Sequence, residues 1–185
     1  MTVVVPLTFP LASLLAEPPG TAASYEIHGV TIPLPDDLRL ADPIEGRLEV
    51  DRTNRGVVIR AELDTAIEAT CSRCLKDVVV PIHVSLDEEV LPSLDFGTGA
   101  RLDPSSEPDV ARLTDHHELA LAPIVAEAIS LAEPIAPLCE ALCPGLCVTC
   151  GERLGPGHPD HADDDIDPRL AALQAFRVDG ETGSE

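Results

Sequence analysis

Val57-Val58-Ile59-Arg60-Ala61-Glu62-Leu63-Asp64-Thr65-Ala66-Ile67-Glu68-Ala69-Thr70-Cys71-Ser72-Arg73-Cys74 is the stretch that decides the fold. Val57, Ile59, Ala61, Leu63, Thr65, Ile67 and Ala69 share one face, and Arg60, Glu62, Asp64 and Glu68 occupy the other. A period of two with β-branched enrichment is the pattern of a strand with one buried face. After the Cys-x2-Cys turn the alternation resumes, with Val78, Val80, Ile82, Val84 and Leu86 set against His83, Ser85 and Asp87. Two long strands joined by that turn read as an antiparallel hairpin. Upstream, Leu48 and Val50 alternate with Arg47, Glu49 and Asp51, and Asn54-Arg55-Gly56 supplies turn chemistry. The centre of the chain is therefore a β-meander.

Working outward, residues 92–115 are rich in Pro, Gly, Ser and Asp and predict a long acidic loop. Residues 118–132 predict the main helix. Leu121, Ile124, Val125 and Ile129 recur at helical spacing, Pro123 falls in the first turn, and Pro134 and Pro137 stop the run. A zinc-knuckle loop spans 139–151, and Asp167-Pro168-Arg169 opens a short C-terminal helix. The N-terminal segment 1–35 carries a short helix around Leu11 to Leu15, closed by Pro18-Pro19-Gly20. The expected fold class is α+β: an antiparallel β-meander packed on one main helix. Residues 36–176 form a single domain, and 177–185 a disordered tail.

The composition excludes several functions. Of 185 residues, 33 are acidic and 12 basic, a net charge of −21, which opposes a generic phosphate-backbone binder. Aromatic residues are 2% of the chain, too few for base-stacking platforms. The apolar start, Met1 to Leu15, has no Lys or Arg and is broken by Pro6 and Pro10, unlike a secretory signal. No apolar run approaches the roughly 20 residues that cross a bilayer. A cytoplasmic protein without a membrane partner is expected.

In a reducing compartment, six closely spaced cysteines point to metal rather than disulfides. Zinc takes four tetrahedral S or N ligands, and a Cys-x2-Cys turn aims two thiolates at one ion. Cys71 and Cys74 form one such pair. Cys139, Cys143, Cys147 and Cys150 follow in a loop, and Gly151 allows the second knuckle to turn. Four cysteines satisfy one ion, and six leave two over. His158 and His161 can close a second site with Cys147 and Cys150, leaving Cys139 and Cys143 for the hairpin pair. A single zinc on Cys71, Cys74, Cys147 and Cys150, with both histidines solvated, is the simpler alternative. One or two structural ions are thus expected. A thioredoxin-like redox pair would place its first cysteine at a helix N-terminus, whereas Leu75-Lys76-Asp77-Val78 continues as strand. Thiol-redox or metal-handling activity stands as the alternative function. His116 and His117 are adjacent and read as ordinary surface histidines, and Glu88-Glu89 and Asp163-Asp164-Asp165 as solvated charge runs. With no nucleophile elbow, phosphate loop or metalloprotease helix, no enzyme is expected.

The order of these features resembles the bacterial YceD-like family. The resemblance rests on Cys71-Ser72-Arg73-Cys74-Leu75, the acidic loop, the apolar helix with its prolines, and Pro144-Gly145-Leu146-Cys147-Val148-Thr149-Cys150-Gly151. Asp167-Pro168-Arg169-Leu170-Ala171-Ala172-Leu173 is similar to the family's closing segment. Members are described as large-ribosomal-RNA accumulation proteins that bind metal and, in some descriptions, nucleic acid. Many carry further cysteines or histidines after the last knuckle, where His158 and His161 stand. The resemblance implies a non-enzymatic factor for large-subunit ribosomal RNA accumulation or ribosome assembly. Residues 36–76 hold seven basic residues against nine acidic ones, so almost all of the −21 lies elsewhere. Any RNA contact would use 36–76, while the acidic remainder would attract a basic ribosomal protein or pre-ribosomal particle.

Overall fold

The computed structural model describes residues 7–95, 97–161 and 169. In chain order its elements are β1 (Thr8–Pro10), α1 (Ala12–Ala16), β2 (Ala22–Val30), β3 (Arg39–Arg52), β4 (Val57–Thr70), β5 (Asp77–Leu91), a 3-10 turn (Pro104–Ser106), β6 (Ala111–Arg112), β7 (Glu118–Ala120) and α2 (Leu121–Ala132). Strands β2-β3-β4-β5-β6 form one sheet in that order, and β1 pairs with β7 in a two-stranded ribbon. The fold is α+β, an antiparallel meander with one main helix, as its alternating sequence predicts. The residues divide into two compact units, Met1–Cys143 and Pro144–Glu185. That boundary falls inside the cysteine loop expected at 139–151. The short helix expected from Asp167 and the tail 177–185 lie outside the described residues, Arg169 excepted, as do Asp163, Asp164 and Asp165.

The β4–β5 pairing is the backbone of the first unit. It runs without a register shift from Val57 opposite Val90 to Thr70 opposite Asp77. One-residue slips are excluded because they would turn every apolar side chain outward. Val57, Ile59, Leu63 and Ile67 of β4 join Leu48 and Val50 of β3 and Ile82 and Val84 of β5 in the core. Helix α2 closes that face with Leu121, Val125 and Ile129. Strand β3 is bent by register shifts around Asp42. Thr65 Oγ1 donates to the Asp42 carbonyl at 2.7 Å, satisfying an oxygen the irregularity displaces. At Gly46 a Cβ would overlap the carbonyl of Glu62 and the backbone of Leu63, so β3 approaches β4 closely only because that residue is glycine.

Three differences from the sequence-based expectation have physical causes. Residues 22–30, expected to precede the domain, supply the first strand of its sheet, pairing Ala22 with Asp51 through Ile27 with Gly46. A register shift between Ile27 and Val30 interrupts the alternation there. The stretch 92–115 is not wholly loop: β6 runs parallel to the end of β5, pairing Val90 with Ala111 and Leu91 with Arg112. The main helix starts at Leu121 rather than 118, because Glu118–Ala120 pair with Thr8–Pro10.

The outer face of the sheet carries a charge lattice set by the register. Glu26, Arg47, Glu62 and Ser85 lie across one row, and Ser24, Glu49, Arg60 and Asp87 across the next. Glu45, Asp64 and His83 form a third. No helix among the described residues is long and apolar enough to cross a membrane.

Candidate metal centres

The β4–β5 hairpin does not turn on an ordinary two-residue loop. The Cys71 N–H donates to the Lys76 carbonyl at 2.8 Å, and the Leu75 N–H donates back to the Cys71 carbonyl at 3.0 Å. Leu75 takes a left-handed backbone, φ 56°. This knuckle turns both cysteine side chains to one side of the tip. The segment after α2 comes to meet it: the Ser72 N–H donates to the Pro137 carbonyl at 2.8 Å, and Arg73 Nη1 to the Cys143 carbonyl at 3.0 Å. The Cys143 N–H donates to the Glu140 carbonyl at 3.1 Å, which turns its sulfur back toward the hairpin.

The result is a tetrad. Cys71, Cys74, Cys139 and Cys143 place their Sγ atoms within 4.8 Å of one another. Cys71 and Cys143 sulfurs are 3.8 Å apart, Cys74 and Cys139 sulfurs 3.6 Å. Four sulfurs around an ion at about 2.3 Å stand about 3.8 Å apart, the edge of the tetrahedron. A disulfide would bring a pair to about 2.05 Å, and all six cysteines are free thiols. Cys71, Cys74 and Cys143 are buried and Cys139 half-buried. Backbone N–H groups, first that of Cys74 and then those of Arg73 and Cys139, bring the Cys71 thiol down to about 6. Cys139 is pushed up to about 12, first by its contact with the Cys143 sulfur and then by burial. One thiolate is thus favoured while Cys139 resists ionisation, a conflict that a bound divalent cation relieves. The donor set fits a soft metal ion.

The second unit repeats the knuckle. The Cys147 N–H donates to the Glu152 carbonyl at 2.7 Å, the Gly151 N–H to the Cys147 carbonyl at 2.9 Å, and Gly151 has φ 74°. Leu146 bridges Arg153, and the Leu154 N–H donates to the Gly145 carbonyl at 2.9 Å, making a small ribbon around it. The Thr149 N–H points at Cys147 Sγ at 3.4 Å. The N–H of Cys150, and after it that of Thr149, lowers the Cys147 thiol. Cys147, Cys150, His158 and His161 bring their ligand atoms within 4.8 Å of one another. Cys150 Sγ stands 3.3 Å from His158 Nε2, and the two imidazoles meet edge-on at 5.1 Å between centroids. His161 Nε2 is buried and has no hydrogen-bond partner. A buried imidazole nitrogen without a partner, facing two sulfurs and a second imidazole, fits a metal ligand.

All eight residues singled out by spacing therefore come together, four in each unit. Sequence reasoning missed the backbone that aims them. The carbonyls of Lys76 and Glu152 and the clamp from Arg73 to Cys143 leave no residue-type signature. Leu75 hides the likeness of the two knuckles, because it stands where the second has Gly151. The remaining histidines do other work. His83 lies between Asp64 Oδ1 at 2.8 Å and Glu62 Oε2 at 3.1 Å, and its pKa is raised mainly by the Asp64 hydrogen bond. His28 contacts Glu45 at 3.0 Å. His116 and His117 sit at the turn before β7 rather than on a strand, with His117 at φ 60°.

A family model described as large ribosomal RNA subunit accumulation protein YceD matches residues 59–177, a span that includes both tetrads. A Mycobacterium leprae protein described as uncharacterized protein ML1660 is 30% identical over 133 residues, covering 71% of this chain and 58% of that protein. The chain thus spans little more than half the length of that relative. No solved structure matches it.

Proposed function

The chain belongs to the YceD family, and from that membership and its two cysteine-centred tetrads we infer that it is a cytoplasmic, non-enzymatic, zinc-containing factor supporting large-subunit ribosomal RNA accumulation or ribosome assembly. The carrying observation is the pair of tetrads, one of four sulfurs and one of two sulfurs and two imidazole nitrogens. Zinc accepts both donor sets, and four protein ligands leave it no open position for substrate, so each ion acts as a cross-link. Cys71, Cys74, Cys139 and Cys143 hold one ion, and Cys147, Cys150, His158 and His161 the other. The redox alternative gains no support from the knuckle. Cys74 leads into β5 rather than a helix, and the Cys71 and Cys74 sulfurs approach Cys143 and Cys139 respectively.

The factor acts through a basic ribosomal protein or a pre-ribosomal particle rather than naked RNA. The basic residues of 36–76 are largely engaged within the protein. Arg47 holds Glu49 at 3.2 Å and Glu26 at 3.9 Å, and Arg60 holds Asp51 at 2.6 Å and Asp87 at 3.7 Å. Arg55 grips Glu107 at 2.6 Å, and Arg52 turns onto the carbonyls of Gly56, Thr53 and Leu15. A phosphate backbone needs guanidiniums that release counterions, and these four are already turned onto carboxylates or carbonyls of the protein itself.

Elemental analysis of the full chain, purified without chelator, is expected to find about two zinc ions per chain. Less than half an equivalent, with six titratable thiols, overturns the metal reading. Affinity capture from lysate with and without nuclease tests the partner. Ribosomal proteins retained after nuclease treatment support it, and their complete loss overturns it.

A further inference from the structure

The geometry points to the outer face of the β2–β5 sheet as a docking surface for an extended, lysine- and arginine-rich protein segment. The inference rests on the assembly-factor reading above and names the surface that reading leaves open. Among the described residues α2 packs on β5 and the core covers the inner face of the sheet, while the outer face stands in solvent. Its composition is set by register. In each of the three rows carboxylates outnumber arginines: Glu26 and Glu62 against Arg47, Glu49 and Asp87 against Arg60, and Glu45 and Asp64 against none.

Charge complementarity and spacing select the occupant. Arg47 and Arg60 are held by carboxylates on their own and neighbouring strands, so in these three rows each guanidinium already faces carboxylates of the protein itself. Glu62 and Asp64 converge on His83 at 3.1 and 2.8 Å, which sets two carboxylates side by side at the centre of the face. Glu26, Glu45, Glu62, Asp64 and Asp87 are more than half exposed, open to an incoming chain. Successive rows lie two residues apart along the strands, about 6.6–6.8 Å, and neighbouring strands lie about 4.8 Å apart. Alternate side chains of an extended segment repeat at the same 6.6–6.8 Å interval, so a segment with a cation at every second residue meets a carboxylate at each row. A nucleic acid offers the wrong charge, and a second copy of this face repels the first.

The test uses the full, metal-loaded chain and a labelled peptide of about twelve residues alternating lysine with threonine. Glu49→Gln/Glu62→Gln/Asp64→Asn removes three charges from the face. Glu17→Gln/Asp109→Asn/Glu133→Gln removes three from exposed positions elsewhere. The face variant is expected to weaken peptide binding about ten-fold at physiological salt, and the control less than about two-fold. Retained zinc content and an unchanged circular dichroism spectrum show that both variants fold. Equal losses in the two variants would mean that only the net charge attracts, and would overturn the inference. So would wild-type binding to naked ribosomal RNA as tight as to the peptide, or displacement of the peptide by micromolar magnesium. The underlying reading is scored separately by zinc content and by capture of ribosomal proteins. If those hold while the two variants bind alike, the sheet face alone fails.

Discussion

Leu75 and Gly151 stand at the same point of two knuckles closed by the same pair of hydrogen bonds, and both take a left-handed backbone. Glycine adopts that conformation without strain, whereas a leucine Cβ crowds the following carbonyl. Leu75→Gly is therefore expected to raise the stability of the metal-loaded protein by up to about 1 kcal/mol, the gain being trimmed by the freer unfolded chain. Denaturant unfolding measures this, and a drop in midpoint would mean that the leucine side chain contributes more than its backbone loses. Gly46 is the opposite case. A Cβ there meets the backbone of Glu62 and Leu63, which the sheet holds in place. Gly46→Ala should destabilise the first unit by about 3 kcal/mol or more, seen as a lower melting temperature. A change within about 0.5 kcal/mol would show that β3 can move away from β4. Neither effect was readable from composition. Leu75 reads as an apolar residue between a cysteine and a strand, and Gly46 as the first residue of an alternating run. What defines each is a backbone angle or a neighbour sixteen or more residues away.

At the scale of elements, β4, β5 and α2 were legible because each buries one face and so writes its period into the sequence. Strand β2 was not. Its inner positions Ala23, Tyr25 and Ile27 do alternate, but small residues weaken the signal and the irregularity before Val30 breaks the period. Strands β6 and β7, two and three residues long, are too short to show any period and exist only through their partners. The sequence singles out eight candidate ligands and offers the split between Cys143 and Cys147 beside a single-site alternative, and the folded chain gathers them in the split arrangement. The same contrast predicts how the elements respond to metal loss. The β4–β5 ladder and α2 share an apolar core, whereas the described part of the second unit buries only Gly145 and Cys147. Cys147→Ser/Cys150→Ser is expected to lower zinc content by about one ion per chain while leaving most of the strand signal in circular dichroism. Loss of the strand signal would show that the second ion supports the whole chain.

For the molecule as a whole, a net charge of −21 on 185 residues loads the folded state with self-repulsion. Local pairs such as Arg60 with Asp51 and Arg101 with Asp115 are exposed and contribute little individually. Screening should therefore stabilise more than it destabilises. Raising ionic strength from about 0.01 M to 0.15 M shortens the Debye length from about 30 Å to about 8 Å. The melting temperature is expected to rise by about 2–5 °C over that range. A fall would mean that the exposed ion pairs outweigh the net charge. The total charge was plain from the sequence. That Arg47 and Arg60 are spent on neighbouring strands was not, because cross-strand partners such as Arg47 and Glu26 are brought together only by the pairing of β2 with β3.

The separation of the first tetrad along the chain has a consequence during synthesis. Cys74 and Cys139 are 65 residues apart, and Cys71 and Cys143 are 72. At about 5–20 residues per second, the hairpin thiols leave the ribosome about 3–14 s before the two sulfurs that complete their tetrad. For that interval the nascent chain exposes two thiols of an unfinished candidate site, open to oxidation. The second tetrad, whose four members run from Cys147 to His161, passes through the same stage in about 1–3 s. Translation thus delivers one site with a long unprotected interval and the other almost at once.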